Sequence, residues 1–321
     1  MAGLQGRALG GYQLTAQLSS GGVAEVYRAT PTQAGGREAI VKVIYPEFAR
    51  QNGFRARFDQ IVQIGRRLNH PHILPLLASG EQNGYLYIVT PFVAAGTLKD
   101  WIVGGKRLGT HDVGPFFRQV CEAVGYAHSQ SVVHGNIKPS NIFLFEGRHV
   151  LLGDFGRLWD VGQMDMTHAG PGIEAVEFLA PESTEGRADQ RSDIYGLGAV
   201  LYASLTGVPP FRGNTPFEVL GAHARQAPPQ LGSARPPVEP GVLALDPVVQ
   251  KALAKAPDAR FPSALALAQA VEGAVRGAPH SAGGPARVAS PLSAGSPVLG
   301  KASFPPLPAG LVDPGMEEGG F

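Results

Sequence analysis

The sequence predicts an α+β fold of two lobes, a small strand-rich one followed by a larger helical one. Two stretches of contrasting pattern and one break in composition carry this prediction. Over residues 12–93, Gly11 to Ala29, Glu38 to Ile44 and Tyr85 to Phe92 are rich in β-branched and aromatic residues with turn residues between them, the pattern of short strands. Over residues 97–275 the apolar residues recur at helical spacing, in Leu98 to Val103, Val113 to Ser129, Asp193 to Leu205, Pro216 to His223 and Ser263 to Val275. Beyond Arg276, Pro, Gly, Ala and Ser cluster with few aromatics and no periodicity. Such a segment buries too little apolar surface to offset its ordering entropy. The expected organisation is an extension over 1–11, one domain over 12–275 with lobes at 12–93 and 94–275, and a disordered tail over 276–321.

One helix is expected inside the strand-rich lobe, from Phe54 to Leu68, because Phe54, Phe58, Ile61, Val62 and Gly65 share a face. Within the tail, Pro305-Pro306-Leu307-Pro308 has the composition of a linker or a short polyproline ligand. The bulk numbers exclude several classes. Among 321 residues, 27 Lys and Arg against 26 Asp and Glu leave a net charge of +1, which provides no basic field for nucleic acid. The single cysteine, Cys121, rules out a disulfide framework within the chain and fits a reducing, cytoplasmic setting; it is expected to be a buried packing residue. No run reaches the roughly 18 apolar residues that span a bilayer, and the first dozen residues have no apolar signal core.

Two segments carry the chemistry. The first is His134-Gly135-Asn136-Ile137-Lys138-Pro139-Ser140-Asn141. The second is Gly153-Asp154-Phe155-Gly156, with Asp154 thirteen residues after Asn141. Upstream lies Ala39-Ile40-Val41-Lys42 in a strand-like run; downstream lie Ala180-Pro181-Glu182, the run Arg191 to Gly198, the run Leu205 to Phe211 and Asp258-Ala259-Arg260-Phe261. This ordered set resembles the protein-kinase signature, over about residues 12–275, and is most similar to bacterial Ser/Thr kinases. The resemblance implies the protein-kinase-like two-lobe fold.

It also implies roles. ATP brings a triphosphate, so phosphoryl transfer needs cations and positioning. Lys42 stands where the family contacts the α- and β-phosphates, Asn141 and Asp154 where it holds Mg²⁺ with hard oxygen ligands, and Lys138 where it steadies the γ-phosphate. Thr90 corresponds to the gatekeeper, residues 91–93 to the hinge, and Val93 to the residue whose backbone N–H and C=O read adenine. Val26 and Ile40 roof the adenine slot and Phe143 floors it. His134 and Asp193 correspond to the pair that holds the catalytic loop on a buried helix, Glu182 and Arg260 to the ion pair that ties down the activation segment, and Phe155 to the aromatic residue after the metal-binding aspartate.

The departures from the family cluster on catalysis. Asn136 replaces the aspartate that accepts the substrate hydroxyl proton; an amide cannot take up that proton. Gly135 replaces the preceding arginine. In the Gly-rich loop, only Gly21 matches a family glycine; Ser19 and Ala24 replace the others, while Gly22 adds freedom. The glutamate that orients Lys42 falls at Ile61, leaving Asp154 as an alternative partner for that lysine. Ala175 replaces a threonine that bonds the catalytic base and lysine, and Thr167 is the only hydroxyl residue between Gly156 and Glu182. Two readings result: a pseudokinase that holds Mg-ATP and serves a protein partner as a regulatory or scaffold module, and alternatively a weakly active Ser/Thr kinase. A small-molecule phosphotransferase is disfavoured by the Ala180-Pro181-Glu182 segment and the Asp193 helix.

Overall fold

The computed structural model describes residues 3–21, 23–145, 149–156, 173–234 and 236–277. The expected hydroxyl site Thr167, the loop residue Gly22 and the expected tail from residue 278 onward lie outside these described residues.

The small lobe is a six-stranded antiparallel sheet in the order β1-β2-β3-β4-β6-β5. Its strands are β1 (Ala8–Leu9), β2 (Tyr12–Gly21), β3 (Ala24–Pro31), β4 (Ala39–Ile44), β5 (Ala78–Gln82) and β6 (Tyr85–Pro91). Successive side chains of a strand point to opposite faces, and register makes this tell. Tyr27, Ala29, Ala39, Val41, Val43 and Val89 are buried together with Leu4, Leu9 and Leu14. The alternate positions face the opposite way: Val26 pairs with Lys42 and Lys42 with Ile88, while Ile40 pairs with Thr90. That second face is half-buried and roofs the cleft between the lobes.

The helix α2 (Phe54–Arg67) lies over the sheet through Phe54, Phe58 and Val62, packed with Ile44 and Leu86. A single turn, α1 (Pro46–Ala49), precedes it. Residues 3–9 depart from expectation: they belong to the lobe rather than to an extension. Leu4 and Leu9 are buried, the Leu4 N–H donates to the Tyr27 hydroxyl at 2.9 Å, and β1 pairs with β2.

The large lobe is built around α5 (Gln190–Thr206), whose residues from Ser192 to Thr206 are all buried. Asp189 caps it and forms a capping box with Ser192, satisfying N–H groups that the first turn leaves without partners. Around it pack α3 (Leu98–Val103), α4 (Thr110–Ser129), α6 (Pro216–Arg225), α7 (Asp246–Ala252) and α8 (Ala264–Arg276). Cys121 on α4 is fully buried, as expected. The close approach of α5 to α7 uses Gly198, where a Cβ would stand 2.6 Å from that of Ala252. A two-stranded ribbon, β7 (Ile142–Phe145) and β8 (His149–Leu152), sits under the cleft. No helix among the described residues is long and apolar enough to cross a membrane.

Candidate active site

The cleft between the lobes has the half-buried face of β3, β4 and β6 above it and the β7–β8 ribbon below. Val26, Ile40, Lys42 and Thr90 come from above. Phe143 of β7 comes from below, packed with Leu74, Val93 and Leu151. Val93, on the segment joining the lobes, is buried; its carbonyl already accepts the Gly96 N–H at 3.2 Å and keeps a second lone pair. Ser19 and Gly21 end the β2–β3 hairpin, Ser19 opposite Val26 and Gly21 opposite Ala24, and both are exposed.

The catalytic-loop segment is held from below by its backbone. Both oxygens of the buried Asp193 carboxylate accept main-chain N–H groups, Oδ2 from His134 and Oδ1 from Gly135, each at 2.8 Å. Charge-assisted bonds of this kind are the strong ones. The imidazole partnering Asp193 is His128 of α4, at 2.8 Å, a residue the sequence reading did not single out. His134 instead faces the second motif. Its Nε2 lies 3.1 Å from the Gly153 carbonyl, and its Nδ1 accepts the Asn136 N–H at 3.1 Å. A carbonyl only accepts and an amide N–H only donates, so the ring is the neutral Nε2–H tautomer; burial also holds its pKa down. Its ring packs on Phe155, centroids 4.3 Å apart.

Gly135 has φ +67°, a left-handed conformation that glycine adopts at no steric cost. The same main-chain bend presents Asn136 to Asp154. Asn136 Nδ2 donates to Asp154 Oδ2 at 3.3 Å, while Asp154 Oδ1 is ion-paired with Lys42. Asn141 donates through Nδ2 to the Asn136 carbonyl at 2.8 Å, which leaves its side-chain oxygen as an acceptor. Desolvation within the cleft raises the Asp154 pKa, although its side chain is 39% exposed, but Lys42 and Lys138 more than offset it, so the carboxylate is held below its ordinary value. Asp154 itself sits at φ +62°, a strained position for a residue with a Cβ and of the kind that collects at functional sites.

The lysine partner expected on α2 is absent in chemical terms. Ile61 is directed at Gly156, and a Cβ there would meet Ile61 Cγ1 at 2.9 Å. An apolar contact thus stands where the resemblance calls for a charged one, and Lys42 turns to Asp154.

Beneath the loop, a small open cleft is lined by Asn136, Lys138, Ala175, Phe178, Ser183 and Asp193, among others. Glu182 and Arg260 form the expected pair, with Nη1–Oε1 at 2.6 Å and Nη2–Oε2 at 2.8 Å. Arg260 also donates to the carbonyls of Ala254, Arg191 and Lys255, and Ser192 donates to Glu182 at 2.6 Å. The guanidinium is buried with its donors used, so this pair is structural. Sequence reasoning missed Lys99 and Glu174, which are ion-paired across the front of the loop.

The geometry has a counterpart among known proteins. The protein kinase domain family matches residues 12–268. The chain belongs to the protein kinase family. The kinase domain is 35% identical over 286 residues to a probable serine/threonine-protein kinase of Streptomyces coelicolor, covering 86% of this chain and 42% of that protein. It is 36% identical over 261 residues to the serine/threonine-protein kinase PknB of Mycolicibacterium smegmatis, covering 79% of this chain and 41% of PknB. This kinase chain thus spans about two-fifths of the length of those relatives. Among solved structures, the kinase domain of Mycobacterium tuberculosis PknI, as a double mutant, superposes with a TM-score of 0.69 at 28% identity, covering 86% of this chain and 100% of that one. The two-lobe kinase fold read from the sequence is therefore correct.

Proposed function

We propose that this kinase domain binds Mg-ATP and transfers the γ-phosphate to protein Ser or Thr slowly, because Asn136 cannot accept the hydroxyl proton. The observation that carries the reading is the convergence of Lys42, Asn141, Asp154 and Lys138 on one cleft, with the amide of Asn136 among them. The donor set fits magnesium: a carboxylate and an amide oxygen, both hard. Bound there, the metal would neutralise the phosphate charge. Val26, Ile40, Thr90, Val93 and Phe143 would enclose the base, with Ser19, Gly21 and Gly22 over the phosphates; Lys42 would leave Asp154 for the α- and β-phosphates. Asn136 would orient an acceptor hydroxyl by hydrogen bonding while the proton leaves to solvent or to the phosphate.

The relatives named as serine/threonine-protein kinases favour turnover over a pure scaffold. The scaffold reading, a pseudokinase module acting through a protein partner, draws on Asn136, Gly135, Ile61 and Ala175 together. The buried thiol of Cys121 suits a cytoplasmic protein in a reducing environment.

A thermal-shift titration with MgATP, followed by transfer of radiolabelled γ-phosphate, tests the proposal. The expected result is a saturable rise in Tm, since a ligand of the folded state stabilises it, with slow transfer that Asn136→Asp accelerates. Binding without transfer in the natural chain selects the scaffold reading; no shift at millimolar MgATP removes the ATP-binding form of both.

A further inference from the structure

The loop between α2 and β5 fastens the small lobe to the large one. The Leu74 N–H donates to the Leu152 carbonyl and the Leu152 N–H to the His72 carbonyl, each at 2.9 Å. The loop thus lies against β8, with a parallel bridge between Ile73 and Leu152. The Asn69 N–H reaches the Tyr126 hydroxyl of α4 at 3.4 Å. Helix α2 runs directly into this loop, and its Ile61 is set against Gly156. The fastening therefore fixes the helix that meets the segment carrying Asp154.

Three imidazoles hold the loop, and each is committed to one tautomer. His72 Nδ1 lies 3.1 Å from the Val150 carbonyl, and His149 Nε2 lies 2.8 Å from the Pro71 carbonyl. A carbonyl only accepts, so both nitrogens carry the ring hydrogen. His70 Nδ1 accepts the His72 N–H at 3.2 Å, so that nitrogen carries none. A proton added to His72 or His149 enters at the opposite nitrogen and leaves these bonds in place. A proton added to His70 lands on Nδ1, where it sets one donor against another.

The rings are also crowded. The His72 centroid stands 4.7 Å from that of His149 and 5.6 Å from that of His70, which stacks on Tyr126 at 5.1 Å. Among the described residues, the carboxylate facing them is Glu122 of α4, 3.8 Å from His72 Nε2. Arg118 shares that carboxylate and is paired with Glu272 of α8 as well, so Glu122 answers one imidazolium at most. Arg67 of α2, bonded to the Gln130 carbonyl, brings a further positive charge. No cluster among the described residues has the form of a metal site. Burial, and then His72, hold the His70 pKa below its ordinary value; burial and His149 do the same to His72, against Val150 and Glu122.

We propose that His70, His72 and His149 form a pH-sensitive fastening between the lobes, closed while His70 is neutral and released when it takes a proton. In the released loop His70 and His72 titrate at the ordinary value of about 6.5. An imidazole that takes its proton only on release favours release about tenfold more at pH 5.5 than at pH 8. The fastening is therefore full above about pH 6.5 and weakens as pH falls below it. It operates whether or not Asn136 supports turnover.

Hydrogen exchange of the full chain tests this, as protection factors at about pH 8 and about pH 5.5 for the His72, Leu74 and Leu152 amides. In the natural chain their protection should fall about tenfold on acidification. His70→Asn supplies a side-chain oxygen that accepts the same N–H and takes up no proton; it should make that fall at least about threefold smaller. His223→Gln removes a separate source of acid sensitivity in the large lobe and should leave the fall as it is. No fall in the natural chain, a fall that disappears in His223→Gln, or an undiminished fall in His70→Asn each overturns the proposal. Should His70→Asn not fold, the natural chain and His223→Gln still decide between release of the loop and a general loss of stability.

Discussion

Restoring the missing base makes a two-sided prediction. In the folded chain, Asn136 Nδ2 sits 3.3 Å from Asp154 Oδ2 and donates to it. Asn136→Asp replaces that donor with a carboxylate oxygen. Two unit charges at this separation repel by about 1 kcal/mol in water and about 5 kcal/mol at an effective dielectric constant near 20. The Asp154 side chain is 39% exposed and paired with Lys42, which places the cost toward the lower end, at about 1–2 kcal/mol. For a domain of this size that is a fall in Tm of roughly 2–8 °C. The deficit is expected in EDTA at pH 7. It should shrink near pH 5, because like charges raise one of the two pKa values and a shared proton relieves the repulsion. It should shrink with MgATP, whose metal would neutralise the Asp154 carboxylate. With nucleotide present, the same variant should transfer phosphate about 10²-fold faster or more, the usual worth of a positioned base. Differential scanning fluorimetry with and without metal, paired with radiolabelled transfer, measures both sides. A variant as stable as the natural chain in EDTA and no faster in transfer would refute the placement of Asn136 against Asp154.

Ile61→Glu gives Lys42 a second anion at the price of the Gly156 contact; it should free Asp154 for metal and tighten MgATP binding more than metal-free ATP binding, as read by calorimetry. His223 is fully buried, with Nε2 3.0 Å from the Glu177 carbonyl and Nδ1 2.8 Å from the Tyr195 hydroxyl. Burial pushes its pKa down to about 4. The unfolded chain takes up this proton near pH 6.5 and the folded chain only near 4, so folding stability falls as pH drops through that window. The ceiling is about 3 kcal/mol, and His223→Gln should flatten that part of a urea-unfolding series. Gly135→Ala should cost about 1 kcal/mol of stability through its φ of +67° alone, since a Cβ there meets nothing within 4 Å. Glu182→Gln, by contrast, leaves the buried Arg260 charge unmatched and should cost about 3–5 kcal/mol in chemical denaturation.

Patterned segments were legible in the sequence and short ones were not. The expected helix Phe54 to Leu68 is α2 to within one residue, and Leu98 to Val103 is α3. The expected Val113 to Ser129 starts three residues earlier, at Thr110. Strand β5 escaped because Ala78–Gln82 contains no β-branched or aromatic residue. The readable clue was Asn83-Gly84, both at positive φ, the two-residue turn that suits a hairpin. Helices α1 and α7 are only 4 and 7 residues long, too short for periodicity to register. Strands β7 and β8, of four residues each, were absorbed into the helical half. The motif residues Lys42, Asn136, Asn141 and Asp154 were found by type and order. Of their mutual bonds only that of Lys42 with Asp154 was anticipated; those of Asn136 with Asp154 and of Asn141 with Asn136 were not, because a motif carries no distances. Glu174 and Lys99 lie 75 positions apart and belong to no motif, so only the fold brings them together.

Asp193 grips the loop above it through the main chain. Its two oxygens hold the N–H groups of His134 and Gly135, and every residue except proline supplies that group. The anchor therefore bonds no side chain of the loop, although the φ of +67° at position 135 still favours glycine there. A scaffold of that kind can lose its chemistry one residue at a time without losing its shape, and can regain it the same way. On the reading proposed above, a change of chemistry at position 136 requires no refolding of the loop.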